Sequence, residues 1–63
     1  MDADLKKDVE RLRSSNAAER AAAAERIAQR GPEAASAAIA LVESAGDESE
    51  EAREWVVSAL EGL

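Results

Sequence analysis

Residues 19–42 read ERAAAAERIAQRGPEAASAAIALV, and this stretch, with ten alanines and the chain's one proline, decides the fold. Gly31-Pro32 punctuates it. Glycine takes a positive φ just past a helix end, and proline has no N–H to lose in the first turn of the next helix. Arg30 and Gly31 therefore close one helix, about 17–30. A second, about 32–45, opens at Pro32 and stops at Gly46. The residue before proline is driven away from helical backbone, so the two helices meet at a sharp corner. Gly31 is expected in the left-handed region. Alanine suits this arrangement because it has the highest helix propensity and lets helix axes approach closely.

The helix after the corner carries charge only at Glu33 and Glu43. One stripe is Ala35, Ala38, Ile39 and Val42, and another is Ala34, Ala37 and Leu41. Apolar residues most of the way round predict a helix buried on several sides, the middle element of the fold, with Ala38 inside.

Upstream, DADLKKDVERLR (residues 2–13) puts Leu5, Val9 and Leu12 on one helical stripe. Asp2 and Asp4 stand at its positive end, Arg11 and Arg13 at its negative end. Asn16 precedes Glu19 by three residues in a capping-box pattern that starts the next helix. Downstream, DESE (residues 47–50) caps a last helix, about 50–63. Met1 adds one large apolar side chain at the terminus.

Composition narrows the function. The chain has 63 residues, 14 acidic and 8 basic, for a net charge of −6, with neither cysteine nor histidine. It reads as one small domain, 1–63, or as a piece of a longer solenoid. An acidic balance opposes nucleic-acid binding, which calls for a basic stripe. No run nears the ~18 apolar residues of a membrane span. The charged start MDADLKKDVE is not a secretory signal, so the cytoplasm is the expected compartment. Disulfide and thiolate or imidazole zinc sites are excluded.

Sliding the chain by 33 residues superimposes Arg20 on Arg53, Ala23-Ala24 on Val56-Val57, and Ile27 on Leu60. Val9 falls on Val42, Leu5 on Ala38 and Leu12 on Ala45. Helix 1 thus pairs with helix 3 and helix 2 with helix 4. Helix pairs repeating at this period are the signature of a solenoid.

On these residues, over about 9–63, the chain resembles the HEAT-repeat family, particularly the short repeats of phycobilisome-lyase type. That family's first helix reads roughly Val-Arg-x-x-Ala-Ala-x-Ala-Leu-Gly-x-Ile-Gly. Arg20, Ala23, Ala24, Ile27, Ala28 and Gly31 match in the first copy, while Glu19, Arg26 and Arg30 depart. Ala52, Arg53, Val56, Val57, Ala59, Leu60 and Leu63 match in the second, with Glu61 in place of a small residue. The resemblance implies an all-α fold: four short antiparallel helices in two stacked pairs, a minimal HEAT-like α-solenoid. It also implies an Arg–Asp ladder. Asp47 and Arg53 have the required spacing, and Asp47 is placed to reach Arg20, Arg53 or both, whereas Ser14 holds the equivalent position in the first copy.

Nothing in the chain has the pattern of an active site. The serines have no histidine base, and every carboxylate falls on an expected solvated face or helix start, away from any water-poor pocket that could tune it. GDESEE (residues 46–51) lacks the alternating oxygen ligands of a calcium loop and reads as a helix cap. The expected function is non-enzymatic: a protein-interaction or scaffold module with no catalytic, cofactor or metal residues. Two further readings are a purely structural or oligomerisation element, and an accessory subunit of an enzyme such as a bilin lyase. Trp55 sits at the edge of the last helix's core stripe, as core cover or interface anchor. With Val57 and Leu63 it forms the candidate interface, and self-association through that helix is expected unless the chain is cut from a longer repeat protein. Arg20, Gly31, Pro32, Asp47 and Arg53 are the expected structural residues.

Overall fold

The computed structural model describes residues 2–63, and Met1 lies outside them. The described residues form helices and turns without strands: α1 (Ala3–Arg11), α2 (Ala17–Arg30), a 3₁₀ segment (Gly31–Ala37) running into α3 (Ala38–Ser44), and α4 (Glu50–Glu61). Three side chains start three of these helices. Asp2 Oδ1 accepts from the Leu5 N–H at 2.7 Å, Asn16 Oδ1 from Glu19 at 3.1 Å, and Ser49 Oγ from Ala52 at 3.2 Å. Each satisfies a donor that the first helical turn leaves without an intrahelical partner.

Ion pairs show how the helices run. Arg30 meets Asp2 and Arg26 meets Asp8, so the end of α2 lies beside the start of α1 and the two are antiparallel. Arg13, just past α1, reaches Glu43 near the end of α3, which sets α1 and α3 in the same direction. Arg20 near the start of α2 holds Asp47 just before α4, and at the other end a Cβ on Gly62 would lie 3.8 Å from Gly31 Cα. So α2 and α4 run parallel.

The central helix is α2, not the third helix. It packs against α1, the 3₁₀ segment and, most extensively, α4. Ala21, Ala23, Ala24 and Ile27 are buried along it. Leu5, Ile27, Leu41 and Val56 are the largest fully buried side chains, and Leu12 and seven alanines complete the core.

The helix after the corner differs from expectation in two ways. Its first seven residues are 3₁₀, a winding in which positions i and i+3 eclipse. Ala34 and Ala37 therefore stack one above the other on the core side, and Leu41 continues their line into α3. The other stripe turns outward: Ala35 is exposed and Ala38 half-buried. Ile39 is 79% and Val42 62% exposed. Having neighbours on one side only, this segment can bury a single stripe.

Gly31 has φ 61° and ψ −137°, a positive φ as expected but outside the left-handed helical well. This is the backbone of the first central residue in a type II′ turn, which all but glycine avoid. Pro32 follows, exposed, as the second residue of the 3₁₀ segment. The last helix ends at Glu61 rather than at Leu63.

Candidate interaction surface

The junction before α4 shows how the chain holds its two halves together. Arg20 donates from Nε to Asp47 Oδ2 at 2.7 Å and from Nη2 to Oδ1 at 3.2 Å, a two-pronged pair between side chains only 19% and 8% exposed. Asp47 Oδ1 also accepts from the Ser49 N–H at 2.8 Å. These donors, the Arg20 guanidinium first, hold the Asp47 carboxyl below its ordinary value near 3.8, with the charge of Arg53 adding to the effect. The same contact raises Arg20. Of the partners open to Asp47, its carboxylate takes Arg20. Arg53 instead donates to the main-chain carbonyls of Asp47, at 2.6 Å, and Glu48, at 3.1 Å.

The 33-residue offset recurs here bond for bond. Arg20 donates to the Ser14 carbonyl at 2.7 Å as Arg53 does to that of Asp47. The Asn16 N–H donates to Ser14 Oγ as the Ser49 N–H does to Asp47 Oδ1. Asn16 and Ser49 then each cap the helix that follows. The reciprocal half of the capping box is absent, since Glu19 accepts from Ser14 Oγ rather than closing on Asn16.

On the opposite flank, α1 and α2 enclose a groove of about 430 Å3 lined by Lys7, Arg11, Arg26 and Arg30, together with Asp4, Asp8 and Gln29. Asp8 is buried at 4% exposure and takes Arg26 Nε at 2.8 Å, with Arg11 at 3.6 Å. Asp2 sits below its ordinary carboxylate value, chiefly through the Leu5 N–H and then through Arg30. No single helix's spacing reveals this cluster. Matching the acids at the start of α1 with the arginines at the end of an antiparallel α2 is the signal that finds it.

The expected interface residues differ in exposure. Trp55 is half-buried and packs against the core, while Val57 is 49% and Leu63 40% exposed. More exposed than either are Ile39 and Val42, which lie three residues apart on the face of α3. Among the described residues no three Asp or Glu side chains converge to hold a metal ion, and no helix is long and apolar enough to cross a membrane. Comparison with family models, curated proteins and solved structures returned no match.

Proposed function

We propose that the chain is a HEAT-like helical-repeat module with a non-enzymatic role, presenting the outer face of α3 to a protein partner. The bond-for-bond recurrence at the junctions before α2 and α4 supports the repeat reading. The observation that carries the function is the exposure of Ile39 and Val42 on a stretch, 34–42, free of charged residues. Large aliphatic side chains lying together in water mark a contact surface more often than a solvated one. In a stacked-pair architecture, side chains on such a face vary without disturbing the core. The HEAT resemblance assigns that face to the second helix of each pair, here α1 and α3.

A photo-crosslinking residue at position 39, with one at exposed Glu51 as control, tests this in the native host. The expected result is a discrete adduct from position 39, lost in Val42→Lys and absent at position 51. Equal labelling at the two positions contradicts the assignment of the face.

A further inference from the structure

Charge is unevenly divided along the chain, with the first half nearly balanced and the second strongly acidic. Seven of the eight basic residues lie within 2–30, and eight of the fourteen acidic residues within 31–63. The repeat offset gives this division a geometry. On α2, the flank with Ala21 and Ala24 is buried and Ala28 half-buried, while Arg26 and Arg30 occupy the flank turned to α1. The equivalents of Ala21, Ala24 and Ala28, 33 residues on, are Glu54, Val57 and Glu61 on α4, all exposed. Glu54 and Val57, with Glu50, Arg53 and Ala45, line an open groove of about 460 Å3. So the flank that receives a neighbouring helix on α2 is, on α4, an acidic ridge around one valine. The groove between α1 and α2 is its counterpart, with four cations against Asp4 and Asp8.

We propose that copies of this chain stack head to tail, the Glu54–Val57–Glu61 ridge of one copy seating in the Lys7–Arg11–Arg26–Arg30 groove of the next. The proposal rests on the repeat reading, which supplies the register. By role, α1 stands as a second helix and α4 as a first helix. One copy's α4 followed by the next copy's α1 thus reproduces the order in which α2 meets the 3₁₀–α3 segment. In that register Glu61 lies level with residue 28 of the next copy, between Arg26 and Arg30. Val57 lies on the groove side of α2, level with position 24 of the next copy. The two surfaces differ from each other, so the contact is heterologous and propagates rather than closing as a two-fold dimer. Charge complementarity fixes partner and orientation more than it adds affinity, so the association is weak and concentration-dependent.

Two variants of the full chain test this, each disabling one surface at exposed positions. Glu54→Lys with Glu61→Lys removes the ridge and keeps the groove. Lys7→Glu with Gln29→Glu spoils the groove and keeps the ridge. In sedimentation equilibrium the unmodified chain is expected to gain weight-average mass from tens of micromolar to millimolar. Each variant alone should associate about tenfold more weakly or not at all. An equimolar mixture should recover association, since the intact ridge of one variant meets the intact groove of the other. Circular dichroism checks the helices, and Glu54→Gln with Glu61→Gln and Lys7→Gln provides a milder set should a charge reversal unfold the chain. An unmodified chain that stays monomeric, a variant that associates as strongly as the parent, or a mixture that recovers no association overturns the proposal. None of these outcomes touches partner binding at Ile39 and Val42, which the crosslink reads separately.

Discussion

α2 and α4 lie 33 residues apart along the chain, run parallel and begin with the same hydrogen-bonded turn, yet their fates differ. α2 has partners on both flanks and meets them with Ala21, Ala23 and Ala24. α4 has partners on one, where Ala52, Val56 and Ala59 are buried, and turns Glu54, Val57 and Glu61 outward. Side-chain size therefore follows the number of neighbours a helix has, more than its position in the 33-residue offset. Small residues mark the helix that others lean on.

Exchanging side chains between the two helices tests that contrast most sharply. Ala24 is fully buried, and Ala24→Leu is expected to cost about 3 kcal/mol by overpacking, read from urea unfolding. Val57→Leu, at the equivalent place on α4, should change stability by less than about 0.5 kcal/mol. Equal losses would mean that the outer flank of α4 is also covered.

The two helix ends offer a second pair. At Gly31, φ 61° and ψ −137° exclude a side chain on backbone grounds alone, because nothing stands within 4 Å of a built Cβ. Gly31→Val is expected to cost about 2 kcal/mol. Gly62 has helical φ −84° and ψ −7°, and a Cβ there meets only ordinary contacts. Gly62→Ala should be neutral within about 0.5 kcal/mol. A melting temperature untouched by Gly31→Val would remove the corner as a structural requirement.

Asp47→Ser gives the second junction the residue that the first already has. It loses the Arg20 pair and keeps a hydroxyl acceptor for the Ser49 N–H, at an expected cost of about 1–2 kcal/mol. Asp47 and Asp2 titrate lower in the folded than in the unfolded chain. Their contribution is therefore complete above the ordinary carboxylate value near 3.8. It is lost as pH falls through the lower folded values. Stability should be level above about pH 5 and decline below pH 4, less steeply in Asp47→Ser. Acid titration of unfolding by circular dichroism checks both statements. The smallest effect belongs to Ala38→Leu, at a half-buried site on α3, expected within about 0.5 kcal/mol.

Local chemistry made much of this fold legible. Asn16 and Gly31 bracket α2 at Ala17–Arg30, Ser49 starts α4, and the Arg20–Arg53 equivalence survives as paired hydrogen bonds. The choice between the two stripes of the third helix was not legible. Both are apolar, and what selects Ala34, Ala37 and Leu41 is the 3₁₀ winding that Gly31-Pro32 opens, together with neighbours on one side only. Burial of Asp8 was hidden for a related reason. Its partner Arg26 lies 18 residues away, and only the antiparallel crossing of α1 and α2 brings them together. Val57 and Leu63 stand exposed near the edges of the last helix, where the sequence pattern puts them. Ile39 and Val42 were assigned to the wrong side.

The seven alanines of the core have a thermodynamic consequence. An alanine side chain has no rotamers to lose, so burying it incurs no side-chain entropy cost, where a buried methionine or leucine forfeits roughly 0.5–2 kcal/mol. The gain per residue in apolar burial is correspondingly small. Much of this interior is thus assembled from terms that are modest on both sides of the balance. Little apolar surface is uncovered on unfolding, so the heat-capacity increment should fall below the usual ~12–15 cal/mol/K per residue. The stability curve of such a chain is low and broad, changing little between a cold and a warm cell.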